Sequence, residues 1–351
     1  MAALLVVVAL GGGQGAAGRG LRSCAGPDRV VRVHVLRGFL IHDGLVSDRG
    51  CALLLVGEQV APTLHGAILA SGDGGRSLRT VATFPRALHV WRIVRSGRTL
   101  WAVGDRRPGG GLLLRSARPS GPWTPVRLPA RIESLSAAAP APGSIWLAGQ
   151  RQTAEGIEAV VLRWSTSRGR FEVAARVRPS LGRPAHLRTI AASGRSVIAA
   201  GSDGVLGVVL ASSDGGSRFA RVPLMPRPTI AAGAATVGAR RMYATGSLGS
   251  PTRVAAMRGV IFSGFAGGPS WRARRMPGTV QLGDVTFPTS RVGYVVTVTR
   301  TGSGVAVTHD AGGSWSQLPF RGRGVTLERL LAGDVVYAVG PSGLFRLGSP
   351  N

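Results

Sequence analysis

A turn running from Thr308 to Trp315 reads THDAGGSW, placing a carboxylate, two glycines and a tryptophan in tight order. Asp310 could bind a cation or serve as an acid there. Calcium, however, requires several converging oxygen ligands, and one Asp per turn does not provide them. The histidines His34, His42, His65, His89, His186 and His309 stand alone, with no HExxH or other paired spacing. Glu133, Glu155, Glu158, Glu172 and Glu328 show no spacing that would pair two carboxylates for glycoside hydrolysis. The two cysteines, Cys24 and Cys51, give no zinc pattern. GRGLRSC and GGGLLL are glycine-rich, but neither follows the strand-then-helix context of a phosphate loop. No catalytic residue, metal or cofactor is therefore expected.

The elements around these residues look like short strands. The chain has 351 residues, 53 of them Gly and 22 Pro, and its apolar runs are brief and bounded by Gly, Pro, Ser and Asp. No sustained 3.6-residue apolar pattern appears. All 43 basic residues are Arg, which points to coding bias, yet the net charge of +27 is physically real and favours anionic partners. The arginines are spread along the chain, with short clusters at Arg106-Arg107, Arg240-Arg241 and Arg272 to Arg275. Aromatics are scarce and belong to the repeats below, so a base-stacking platform and nucleic-acid binding are not expected.

Met1 to Leu10 form an apolar run too short to span a bilayer but about the length of a signal-peptide core. Small residues Ala16, Ala17 and Gly18 could host cleavage. Residues 1–24 are thus read as a signal peptide or leader, and residues 28–349 as one domain. Cys24 ends LRSC, a weak lipobox; in an exported chain it could instead pair with Cys51. No later segment is long and apolar enough for a membrane helix, so a secreted or cell-envelope monomer is expected.

Two sequence columns repeat. In the first, a short apolar strand ends in glycine: LLLVGE, LWAVGD, IWLAGQ, VIAAGS, MYATGS and VYAVGP, at Gly57, Gly104, Gly149, Gly201, Gly246 and Gly340. GYVVTVT fills the one double-length gap, with Thr297 in the glycine's place. The spacings are 47, 45, 52, 45, 51 and 43 residues, the period of β-propeller blades. The second column is a polar turn ending in an aromatic or large apolar residue. It is clearest at SGDGGRSL (Asp73, Leu78), SSDGGSRF (Asp214, Phe219) and THDAGGSW (Asp310, Trp315). Weaker copies end at Trp123, Phe171 and Trp271. Seven strands but six turns leave the last blade, Val325 to Leu347, one strand short. VVRVHVL, from Val30 to Leu36, is expected to complete it and close a seven-bladed, all-β ring of four-stranded antiparallel blades.

The turn column resembles the Asp-box (BNR) repeat of sialidase-like and sortilin-like propellers, and of propellers related to photosystem II stability factors. Three of the six turns keep the Asp. In such a turn the carboxylate accepts backbone N–H bonds about two residues on, glycines supply positive φ, and the aromatic packs between blades. The resemblance implies a structural role for Asp73, Asp214, Asp310, Phe219, Trp123, Trp271 and Trp315. A sialidase would further need three Arg, a Tyr–Glu pair and an Asp at the centre. The three Tyr instead occupy the strand column and read as core.

Function is then expected on the loops after the glycine-ended strands, GDRRPGGG, GQRQTAEGIE, GSLGSPTRVAAMRG and TVTRTGSG. Arg106, Arg107, Arg151, Arg253, Arg258 and Arg300 would make that face basic. The reading is a non-catalytic, exported scaffold that binds an acidic glycan or protein. A sialidase-like glycoside hydrolase is the alternative, and an assembly factor for a membrane complex the second.

Overall fold

Every glycine-ended strand is the second strand of a four-stranded sheet. A computed structural model describes residues 31–34, 38–47, 51–60, 63–165, 169–238, 241–250, 252–265, 268, 270–319 and 324–348. Among these residues the chain forms seven four-stranded antiparallel sheets, six of them running outward in chain order from an inner strand. The inner strands are Phe39–Val46, Ala87–Ser96, Ile132–Ala141, His186–Ser193, Ile230–Val237, Gln281–Thr286 and Arg329–Leu331, and successive ones pack side by side around the ring. Helix is confined, among the described residues, to one 3-10 turn at Val254–Ala256. No helix among the described residues is long and apolar enough to cross a membrane.

The ring closes as the strand count predicts. Val31–His34 pairs antiparallel with Gly343–Gly348, so the last blade takes its outermost strand from the beginning of the fold. Two ends of the chain are thereby joined by backbone hydrogen bonds, and the blade's outer edge is paired.

The glycine column answers a close approach between strands. Gly57 pairs with Ile41, Gly104 with Val90, Gly149 with Leu135, Gly201 with Leu187, and Gly246 with Ala231. Directly after each of these partners the inner strand slips register, at His42, Trp91, Ser136, Arg188 and Ala232. A Cβ on the glycine would collide with the carbonyl oxygen of the residue before its partner, such as Leu40 for Gly57 or His186 for Gly201. The sixth blade keeps Thr297 in the column, and there the inner strand skips both Gly283 and Asp284. The glycine has moved from the second strand into the bulge.

The two columns meet between blades. Trp146, 2% exposed, stands three residues before Gly149 and lies against Gly216 in the turn of the next blade. Gly216 has φ +82°, and a Cβ there would enter the indole ring. Phe219, ending that turn, meets Trp146 edge-on at 5.9 Å. Between the fifth and sixth blades, the Tyr243 hydroxyl donates to the Ala311 carbonyl at 2.6 Å. Phe287 stacks on Tyr243 and meets Trp315 edge-on, at 4.3 and 6.0 Å. Trp123 meets Phe84 across the first interface, and Trp271 joins the cluster between the fourth and fifth blades. Burying an aromatic of this size contributes roughly 2–3 kcal/mol, repeated around the ring.

Within the turns the expected bonding is shifted. Asp310 accepts from the Ser314 backbone N–H at 2.8 Å, four residues on rather than two. A second element was not foreseen: the Thr308 hydroxyl donates to Asp310 Oδ1 at 2.7 Å and accepts from the Gly312 N–H at 2.9 Å. Ser71 with Asp73, and Ser212 with Asp214, repeat this arrangement. All three carboxylates are held below the ordinary value of 3.8. At Asp310 the cause is the Ser314 side chain and backbone, and at Asp214 the Arg218 backbone N–H. At Asp73, burial acts upward but the Ser77 and Ser71 bonds outweigh it, bringing the group down to about 2.

Two outcomes are expected. Deleting residues 28–38 should abolish cooperative unfolding of the monomer and promote aggregation, read by thermal melting and light scattering. A folded-state pKa below the unfolded one stabilises above the unfolded value and loses that stabilisation as pH falls through the folded one. The melting-temperature gap between wild type and an Asp73→Asn/Asp214→Asn/Asp310→Asn variant should therefore be full above about pH 4. It should shrink as the pH falls towards about 2.

Candidate functional site

The register slips aim side chains at the ring's centre, as bulges do. At the rim where second strands turn into third strands, His42 and Trp91 occupy the slips of the first two blades. Glu58 and Asp105 directly follow the column glycines of the same blades. His42 Nε2 lies 3.7 Å from Glu58 Oε2, and its Nδ1 lies 3.7 Å from Glu328 Oε2 of the last blade. His89 Nδ1 contacts the same Glu58 oxygen. The Trp91 ring sits 4.5 Å from both imidazoles and donates its indole N–H to Asp105 Oδ2 at 2.7 Å. Burial raises the Asp105 carboxyl, against the pull of the Trp91 bond and of His89. Two of the six histidines that stand alone in sequence, His42 and His89, are thus brought together with carboxylates.

Just below this cluster the axis is crossed by charge. Asp43 accepts from Arg92 Nη1 and from the Ile93 backbone N–H, both at 3.0 Å. Asp284 repeats the device one blade before closure, accepting from Arg329 Nη1 at 3.4 Å and the Leu330 N–H at 3.0 Å. Arg329 Nη2 reaches the Arg188 carbonyl of the fourth blade at 3.2 Å, so the guanidinium spans the channel. Burial, then the Arg92 charge, lower the Arg329 pKa, with Asp284 and Asp43 opposing. For Arg92, burial acts downward but Asp43 and Asp284 outweigh it and raise the pKa. Two acids and two bases form one neutral plug.

The predicted basic loops lie on the same rim, with mixed outcomes. Arg258 and Arg300 converge: Arg258 Nη1 donates to the Ala255 and Met257 carbonyls at 2.8 and 2.7 Å, and Arg300 Nη2 to Ala255 at 3.2 Å. With Thr279, Thr299 and Thr301 they line a cavity of about 500 Å³. Arg151 is instead paired with Glu158, which neutralises it. Arg106 and Arg107 are exposed on the second blade, where Arg106 Nε reaches the Gly109 carbonyl at 3.2 Å. Arg253 is exposed beside the 3-10 turn. The three Asp-bearing turns sit on the opposite rim, their carboxylates bonded within their own turns. Cys51 is disulfide-bonded, while Cys24 and the leader 1–24 lie outside the described residues.

No family model matches the chain, and no curated protein is similar to it. Solved structures are similar in fold. An ancestral GH74 enzyme matches with TM-score 0.65 and 12% identity, over 92% of this chain and 46% of that one. A GH74 xyloglucanase from Xanthomonas campestris matches with TM-score 0.57 and 15% identity, over 91% and 53%. The β-propeller domain of the Trilobed protease from Pyrococcus furiosus matches with TM-score 0.54 and 9% identity, over 90% and 99%. The chain spans about half the length of the two GH74 enzymes. At such identities the likeness shows the propeller fold, and their activities remain facts about those proteins. The Pyrococcus domain is described as having an open velcro topology, whereas here a strand closes the ring.

Tyr243, Tyr294 and Tyr337 are all buried in the packing between blades, as their column position predicts. No tyrosine is therefore available at the axis for sialidase-type chemistry.

The plug can be tested by stability. Asp43→Asn should leave Arg92 buried without its counter-charge and cost about 3 kcal/mol, measured by denaturant unfolding. Glu172→Gln, in the exposed pair with Arg170, should cost about 0.5 kcal/mol or less.

Proposed function

We propose that this propeller is an exported or envelope protein that binds an anionic ligand, an acidic glycan or acidic protein segment, on the rim opposite its Asp-bearing turns. One observation carries the reading: Arg258 and Arg300, from two neighbouring blades, are both held on the Ala255 carbonyl beside a cavity. Neither has a carboxylate partner among the described residues, unlike Arg151. Fixing a guanidinium through backbone carbonyls removes rotamer freedom before a ligand arrives, and leaves further N–H groups for carboxylate or sulfate. The Thr279 and Thr299 hydroxyls beside the cavity donate to the Met276 and Gly302 carbonyls at 2.7 and 2.9 Å and so help to fix its walls. Export is supported by the apolar run at Met1 to Leu10 and by disulfide-bonded Cys51.

A net charge of +27 makes any acidic matrix retain the protein, so the test compares variants of equal charge. Arg258→Ser/Arg300→Ser should elute from an acidic polysaccharide, or release an acidic peptide, at clearly lower salt than Arg274→Ser/Arg275→Ser on an outer strand. Equal elution of the two variants would remove the reading.

A further inference from the structure

We propose that His42, Glu58 and His89 form a binding site for a divalent transition-metal ion, zinc foremost. Their ligand atoms, two imidazole nitrogens and a carboxylate oxygen, all lie within 4.8 Å of one another. Zinc takes such donors at about 2.1 Å, which sets a tetrahedral edge of about 3.4 Å. The separation of 3.7 Å between His42 Nε2 and Glu58 Oε2 is close to that edge.

His42 supplies a second, independent indication. Its side chain is only 9% exposed, yet neither ring nitrogen has a hydrogen-bond partner. Separations of 3.7 Å to Glu58 on one side and Glu328 on the other are beyond hydrogen-bond reach. A buried, unsatisfied imidazole is costly and needs an explanation. A metal on Nε2 satisfies one nitrogen, and a small shift of Glu328 satisfies the other. That arrangement, in which a ligating histidine donates its remaining N–H to a carboxylate, is the usual outer support of a metal-bound imidazole. Glu328 is thus a positioning residue.

The surroundings suit a cation. Trp91 contacts both imidazoles and is itself held by Asp105, restricting both rings. Glu58, Glu328 and Asp105 gather in a chain with only 16 acidic residues, and Arg92 beneath them is paired with Asp43. The His89 and Glu328 side chains are 23% and 44% exposed, so the site opens to solvent. Three protein donors and an open side leave a coordination position for water or a ligand group.

The test uses untagged full-length protein stripped with a chelator. Titration with Zn²⁺ by calorimetry, with metal content measured after gel filtration, should give one ion per chain, and cobalt should give the visible spectrum of a four-coordinate site. His89→Gln and Glu58→Gln should each weaken zinc binding at least tenfold, and Glu328→Gln about tenfold. His65→Gln, at the start of the third strand of the first blade and outside the cluster, should bind as wild type does. Zinc should raise the melting temperature of wild type but not of His89→Gln, whose partly exposed ring makes it the variant that tests binding even if changes at buried His42 impair folding. The proposal fails if wild type takes up no stoichiometric zinc, or if folded His89→Gln and Glu58→Gln both bind zinc as tightly as wild type.

Discussion

The ring depends on a close approach between the first two strands of each blade. The inner strand carries an extra residue, and the second strand can follow it only where a carbonyl oxygen meets no Cβ. Five blades meet this need with a glycine opposite the bulge, whereas the sixth keeps Thr297 in the column and widens the bulge to Gly283 and Asp284, a Cβ on Gly283 meeting the Val296 side chain. The bulge in turn determines which residues face the axis. His42, Trp91 and Arg188 all occupy it. A packing constraint at the level of two backbone strands therefore places the groups with chemical potential.

Cohesion between blades comes from the other side of the same strand. Three residues before the glycine, Trp146 and Tyr243 turn outward into the neighbouring blade and lie against a turn glycine with positive φ. Neither column is stable in isolation: the aromatic needs the glycine's missing side chain, and the turn needs the aromatic as its floor. Asp43 and Asp284 add a polar contact at the inner edge, each bonding an arginine and a backbone N–H of the next blade. These charges are buried, so they hold the blades in a defined arrangement at little net energetic gain.

The architecture was legible because every blade solves the same packing problem with the same residue types at nearly the same spacing. Gly57, Trp101 and Trp315 carry information only as members of columns. The missing strand followed from counting, and Val31–His34 fills it. The bonding inside the turns was only partly readable, since the Ser71, Ser212 and Thr308 hydroxyls look like ordinary polar turn residues. The cluster at the axis was not readable at all from spacing. It occurs once, across the closure, and joins His42 to Glu328 from opposite ends of the chain. One signal was present: Glu58 and Asp105 directly follow column glycines, while Gln150, Ser202 and Ser247 hold the equivalent places in the next three blades.

That asymmetry bears on how a repeated scaffold acquires function. Symmetric positions are committed to packing, so chemistry must sit where the repeat is broken. Two breaks share one rim. The first two blades and the last bring histidines and carboxylates to the axis, in a chain whose acidic residues are few. The fifth blade instead carries the small Ala232 at its bulge and the sixth carries Gly283 beside Asp284, whose carboxylate is bonded to Arg329, while Arg258 and Arg300 stand on the loops outside. The rim is therefore acidic and imidazole-bearing on one side and cationic on the other, while the opposite rim holds turns whose carboxylates are already bonded. Among the described residues, arginines without a carboxylate partner and carboxylates beside imidazoles share the first rim, whereas on the opposite rim the carboxylates of the three Asp-bearing turns already accept hydrogen bonds within those turns.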